Sequence, residues 1–422
     1  MAQKTILIRN GTICHPNCDS NRKQLNILIK EGKLFLNTNV DTADLVLDAT
    51  NCLITPGLFD LRCHLQDPGN EHREDIKSGT DAAAAGGFTA IAIQPDTEPI
   101  LQNKSQIQYI LRSSQDFLTQ VLPIAAATQD FKSTEITEMF DLKNAGAVAF
   151  SNGNHSYKQS DGLLRALQYA KNLDVLLMSH AIDAGLAGLG EVNESAGTTN
   201  TGLRQQPILA EVVQIKKEIA IAKYADSPLH FSHISAAESV ELVRQAKKDG
   251  LKISCDVSIW HLIYTDVTSE AYDSNYKVIP PFRTQDDIEA CIAGINDGTI
   301  DAICSDHLPQ NIENKLVEFD YASFGIIGLQ TMYSVYQMHL SSKISMDAFI
   351  KAASINPRRL LKQESVDFAE GAEANLAILH PTQAWNFDSK SNLSKSFNSP
   401  VFKQQLRGKC MATIRGNYCE TY

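Results

Sequence analysis

No run of 18 apolar residues occurs anywhere in the 422-residue chain. That excludes a transmembrane helix, because an α-helix needs about 20 such residues to cross hydrocarbon. The opening residues, Met1-Ala2-Gln3-Lys4-Thr5-Ile6-Leu7-Ile8, lack the apolar core and cleavage site of a secretory leader. A basic surplus is lacking too: 38 Lys and Arg face 49 Asp and Glu, giving a net charge of −11 and a pI near 5.5. This balance argues against a nucleic-acid surface. Internal repeats and low-complexity tracts are absent, apart from a polar stretch at 386–400 that reads as a surface loop. The expectation is a soluble cytoplasmic protein with no membrane or nucleic-acid partner.

Hydrophobic residues make up 43% of the chain, enough for a large core. The nine cysteines are scattered and odd in number, which suits reduced thiols better than a disulfide framework. Cys14-His15-x-x-Cys18 lacks a second ligand pair at a usable spacing for zinc. It reads as a turn after a strand ending at Cys14.

Residues 5–14, 26–36 and 44–48 are short β-type runs, punctuated by Asn10-Gly11 and Glu31-Gly32. Residues 374–380 and 401–418 are similar. The simplest account pairs both chain ends in one small β-sandwich, residues 1–55 plus 364–422. Between them, apolar strand candidates at 89–94, 121–127, 146–150, 175–179, 229–232, 252–256 and 301–304 alternate with helical stretches at 73–86, 104–117, 161–172, 208–224 and 236–248. That alternation predicts an α/β region of parallel βα units. A barrel of eight such units would carry its site at the C-terminal strand ends. Residues 188–206, rich in Gly, Thr, Asn and Gln, read as a long loop over that face.

The most informative stretch is Asp60-Leu61-Arg62-Cys63-His64, which follows the apolar run Leu53-Ile54-Thr55-Pro56-Gly57-Leu58-Phe59. Alternate residues of a strand face one side, so two histidines spaced i, i+2 can grip one ion. Here the first of those positions holds arginine, a permanent cation with no lone pair to donate.

The surrounding blocks resemble the dihydroorotases, specifically the bacterial type I branch of the amidohydrolase superfamily. They include Pro56-Gly57-Leu58-Phe59-Asp60, His64-Leu65-Gln66-Asp67-Pro68-Gly69 and Ala82-Ala83-Ala84-Ala85-Gly86-Gly87-Phe88-Thr89. Pro280-Pro281-Phe282-Arg283, Ser305-Asp306-His307-Leu308-Pro309 and Phe324-Gly325-Ile326-Ile327-Gly328-Leu329 follow in the family's order. The resemblance implies a (β/α)8 TIM-type barrel over residues 56–363, flanked by the terminal β-sandwich. It also implies chemistry on a cyclic amide, with water held between two divalent ions and an aspartate moving the proton.

On that resemblance, His64, His180 and His233 are retained metal positions and Asp306 is the retained proton-shuttle position. Other positions depart from the family pattern. Arg62 replaces the first metal histidine, and Ser151-Asn152-Gly153 stands where relatives carry a metal-binding Asp. Gln66 replaces an arginine that would pair with a ligand carboxylate. Asp96, a negative charge that would face a negative substrate, and Ile279 replace asparagines, and Gln310 replaces a histidine. The expectation is a non-catalytic protein with no cofactor or one weakly bound zinc. Its implied role is that of an oligomeric structural partner of aspartate carbamoyltransferase in pyrimidine biosynthesis. Two alternatives stand beside it: an active dihydroorotase using a single zinc, and an amidohydrolase with a different substrate. For Arg62 two placements are open, one inward on Asp306 in place of an ion and one reaching to solvent at the barrel mouth.

Overall fold

A computed structural model describes residues 5–38 and 40–422. Eight parallel strands, taken in chain order, form the central barrel: Leu58–Cys63, Phe88–Ile93, Gln120–Ala126, Ala149–Ser151, Leu176–Ser179, Leu229–Phe231, Ile253–Ser258 and Ala302–Cys304. They are buried along almost their whole length. Such strands read as near-continuous apolar runs because helices cover one face and the barrel interior fills the other. The ring closes through a parallel bridge between Cys63 and His307, where His64 N donates to His307 O at 2.8 Å.

Helices follow the first seven strands, at Ile76–Ala85, Lys104–Ser114, Met139–Ala145, Ser160–Asn172, Leu209–Ala225, Ala237–Lys248 and Gln285–Asp297. The eighth helical layer, 332–360, alternates α- and π-helical turns. Local chemistry fixes the first helix. Asp75 caps it by accepting Ser78 N at 2.7 Å, and Ser78 Oγ accepts Asp75 N at 3.2 Å, which satisfies two otherwise orphaned donors. Its end lies hard against the chain after the eighth strand: a Cβ at Gly86 would sit 2.1 Å from Leu329 O. The helix Leu209–Ala225 turns Glu211, Gln214 and Glu218 inward, and Glu211 Oε1 takes the amides of Ser235 and Ala236 at 2.9 and 3.1 Å.

Both chain ends join one eight-stranded sheet. Ile6–Ile13 is its branch point, antiparallel to Gln24–Lys30 and parallel to Leu45–Asp48 and Leu53–Pro56. Leu53–Pro56 then pairs with Asn375–Phe387, which pairs with Gln404–Arg415, which pairs with Tyr418–Thr421. A separate core including Ile6, Ile8, Ile27, Leu376 and Ile414 lies within this unit. Cys14, Cys18, Cys52, Cys63, Cys255, Cys291, Cys304 and Cys410 are free thiols. The Cys14–Cys18 segment is a turn, with His15 Nε2 2.7 Å from Val366 O and Cys18 Sγ donating to Phe368 O at 3.4 Å.

The polar stretch 386–400 is not the surface loop its composition suggested. Ser394, Ser396, Asn398 and Ser399 are buried, because their side chains serve buried partners rather than water. Ser394 Oγ donates to Glu74, and Asn398 Nδ2 donates to Leu308 O and Gly325 O, each at 3.0 Å. The 188–206 loop is pinned by a parallel pairing of Val192–Asn193 with Gln205–Gln206 and by Lys277 Nζ on Glu191 Oε1 at 2.6 Å. No helix among the described residues is long and apolar enough to cross a membrane.

Candidate functional site

Where the barrel strands end, Arg62, His64, His180, His233 and Asp306 are all buried. His64 directly follows the first strand and His180 the fifth; His233 and Asp306 stand two residues past the sixth and eighth. His233 and Asp306 have φ of +63° and +48°, left-handed values that non-glycine residues hold only where surrounding contacts enforce them. For His233 one such contact is its amide, which donates to Asp256 Oδ1 at 2.7 Å.

Of the two placements open for Arg62, the structure has the inward one. Its side chain is 0% exposed and Nε donates to Asp306 Oδ1 at 3.1 Å, while Nη2 donates to the Asn154 side chain. Burial works against the guanidinium charge, but the nearby carboxylates of Asp306 and Asp256 outweigh it and hold its pKa above the ordinary value. Burial lifts the Asp306 carboxyl even with Arg62 beside it. Asp60, under the same strand end, is pushed up to about 7 by burial, although it accepts Ser305 N at 3.1 Å and the Ser305 hydroxyl.

The histidines sort by partner. His64 Nδ1 lies 2.8 Å from both oxygens of Asp96. Asp96 does not face an open ligand position but is spent on His64, whose electrostatic attraction and hydrogen bond outweigh burial and hold the carboxyl below its usual range. His261 Nε2 lies 2.9 Å from Pro280 O, so that nitrogen carries the proton. His261 Nδ1 then accepts His233 Nε2–H at 3.1 Å, which leaves a lone pair on His233 Nδ1, 3.5 Å from Asp306 Oδ1. His180 has no partner on either nitrogen; burial, then the Arg62 charge, push it down to about 3. Below lies a buried polar chain: Ser254 Oγ to His230 Nδ1 at 2.8 Å, then His230 Nε2 to Asp256 Oδ2 at 2.9 Å.

Asn152 is turned onto Thr128, its Oδ1 accepting Thr128 N at 3.1 Å and its Nδ2 donating to Thr128 Oγ1 at 2.9 Å. Gln310 Nε2 donates to Phe324 O at 3.0 Å. Gln66 is buried, its backbone N–H donating to Glu74 O at 3.2 Å, and Ile279 is half-buried just before Pro280. Asn154, Asp256 and His261 were not singled out from the sequence, and Asp60 entered only as the opening residue of the Asp60–His64 stretch. Asp256 had a signal, since Ser254, Asp256 and Ser258 alternate as polar residues along one strand face. Asn154 had none beyond its place in a polar loop.

A two-ion centre does not fit this donor set. The guanidinium of Arg62 occupies the strand-end position that would supply a ligand, and Asp306 and His64 are each committed to a charged neighbour. Among the described residues no group of three or more His, Cys, Asp and Glu side chains is arranged to hold a metal ion. His64 Nε2, both His180 nitrogens and His233 Nδ1 remain buried and without hydrogen-bond partners.

Residues 51–239 match the family described as Dihydro-orotase-like. A dihydroorotase of Geobacter metallireducens is 35% identical over 416 residues, 97% of this chain and 98% of that protein. One of Caldanaerobacter subterraneus subsp. tengcongensis is 38% identical over 414 residues, 97% of this chain and 95% of that protein. Among solved structures, the L-hydantoinase (dihydropyrimidinase) of Arthrobacter aurescens superposes with a TM-score of 0.87 at 20% identity, over 99% of this chain and 97% of its own. The dihydropyrimidinase of Brevibacillus agri gives 0.81 at 20% identity, over 98% and 94%. These structures share the barrel and its flanking sheet.

Proposed function

Because the chain belongs to the dihydroorotase-like amidohydrolases, we propose that it is a non-catalytic member of that family which serves pyrimidine biosynthesis as a structural partner of aspartate carbamoyltransferase. The observation that carries this reading is the Arg62–Asp306 pair. Opening or closing a cyclic amide through metal-bound water requires an ion that lowers the water pKa from 15.7 to about 7, and a carboxylate free to move the proton. Here the fixed cation is a guanidinium, which cannot coordinate water, and the carboxylate is already its hydrogen-bond acceptor. Gln66 cannot form the bidentate pair that arginine makes with a carboxylate.

One observation favours a second reading, a dihydroorotase working with a single zinc: the unpartnered nitrogens of His64, His180 and His233. One assay separates the two. The purified protein is incubated with carbamoyl-aspartate or dihydroorotate, with and without added zinc. The non-catalytic reading expects no turnover above background; zinc-stimulated turnover abolished by a chelator would establish the single-ion enzyme.

The partner reading has its own test. Light scattering on a mixture with aspartate carbamoyltransferase should show a species larger than either protein alone. A specific interface would bury on the order of 1,200–2,000 Å². If the transferase assembles fully alone and no larger species forms, the partner reading fails.

A further inference from the structure

At the opposite end of the barrel from Arg62, where the strands begin, lies an opening of about 430 Å³. Its floor is apolar, made by Val148, Val175, Leu176, Pro228, Ile253 and Leu361, all at or next to the starts of strands four to seven or on the segment after the last helix. Its rim carries four cations, Lys171, Lys252, Arg359 and Lys362, and two carboxylates, Asp174 and Asp301.

The carboxylates are already answered. Asp301 Oδ2 accepts Lys247 Nζ at 2.6 Å and Cys255 N at 3.0 Å, and Asp174 pairs with Lys362. The cations are held more loosely. Lys171 and Lys252 share a single exposed carboxylate, Asp226, at 2.9 and 3.4 Å, and Arg359 reaches its carboxylate only at 3.8 Å. A chain of net charge −11 therefore gathers a local positive excess around one apolar-floored opening.

We propose that this opening is a binding site for a small organic anion, one bearing a phosphate or carboxylate group on an apolar or ring-shaped body. Three features point to that class. The volume lies in the range of roughly 300–1,000 Å³ typical of small-molecule sites, which pair an apolar lining with a few polar groups. A local excess of positive charge around a concavity raises the local concentration of anions. The exposed pairs Lys171–Asp226 and Lys252–Asp226 hold their partners weakly, and Asp301, though buried, keeps Lys247 and the Cys255 amide, so an arriving anion can take over Lys171, Lys252 and Arg359 without stranding a buried charge. In barrels of this type the chemistry sits at the other face, so a ligand here would occupy a second site, independent of whether the Arg62 end has any activity.

The test is calorimetric titration of the full chain at low salt with ribose 5-phosphate and, separately, succinate. The expected result is saturable binding of at least one, weakening as NaCl is raised because the contacts are exposed and screened. Ribose 5-phosphate alone would identify a phosphate ligand and succinate alone a carboxylate. Lys252→Glu and Arg359→Glu should each weaken binding by on the order of tenfold, since a reversed charge at the rim repels the anion. Lys252→Gln and Arg359→Gln should show smaller losses in the same direction. Lys390→Glu, an exposed change on the 386–400 segment, should leave binding unchanged. All these side chains are largely exposed, and melting curves check that the fold is retained. No saturable binding of either compound up to roughly 1 mM, or binding that the Lys252 and Arg359 variants leave intact, overturns the proposal.

Discussion

Replacing Arg62 by methionine keeps most of the apolar stem and removes the charge, which leaves Asp306 buried without its guanidinium. Breaking a buried pair by deleting one partner costs about 3–5 kcal/mol, but Asp306 has an escape: it can take up a proton. Holding a carboxyl neutral at pH 7, when its unfolded value is about 3.9, costs roughly 4 kcal/mol, and at pH 5 roughly 1.5 kcal/mol. Burial already lifts Asp306 in the unsubstituted protein, so those figures are upper limits. The expected loss for Arg62→Met is therefore about 2–4 kcal/mol at pH 7, shrinking below about 1.5 kcal/mol at pH 5. The sign follows from a folded-state carboxyl raised above its unfolded value: stability recovers as pH falls toward that unfolded value. Urea unfolding at the two pH values measures it, and adding Asp306→Asn should recover most of the pH 7 loss. A loss under about 1 kcal/mol, or one equal at both pH values, would show that the pair does not neutralise Asp306 as argued.

Glu218, buried and pushed up to about 7, should destabilise the fold as pH rises through the window from its unfolded value of about 4.5 to 7. Glu218→Gln is then expected to raise the melting temperature at pH 8 and to be nearly neutral at pH 5. His180 and His261, each held near 3 by burial, should keep neutral imidazole shifts in NMR spectra from pH 7.5 down to about pH 5; protonation near the ordinary value would mean that water reaches them. Gly86→Ala would bring a methyl group 2.1 Å from Leu329 O, so a loss of at least about 1 kcal/mol in unfolding free energy is expected in denaturant titration. Arg62→His alone should not create dihydroorotase turnover, because Asn152 stays on Thr128 and Gln66 and Ile279 are unchanged.

Much of the architecture was legible because the barrel strands are covered on both sides and so write themselves as unbroken apolar runs. The last helical layer was not legible: at 332–360 it changes between α- and π-turns, which blurs any single periodicity. At the site, residue type told which positions depart from the family pattern but not where the replacements point. Asp96 looked like a charge aimed at a ligand and is paired with His64, while Asn152 looked like part of the centre and secures Thr128. Nothing in a linear pattern marks Asn154 as the acceptor for Arg62, since that contact spans 92 residues. The 386–400 stretch misled for a related reason. Serine and asparagine signal solvent on average, yet they are also the residues best suited to satisfying a buried carboxylate and stray carbonyls.

Glu74 draws a consequence from that stretch. It is 0% exposed, bonded to His307 Nε2 at 3.2 Å, to Ser394, and to the amide of Lys395 at 3.2 Å across 321 residues. The barrel is therefore not a detachable module. Cut after residue 363, it would keep every one of its eight strands and helical layers, yet would carry an acidic side chain stripped of two donors at the rim. Such a fragment would have to admit water there. The strands define the barrel, but a segment that belongs to neither the barrel nor the sheet completes it.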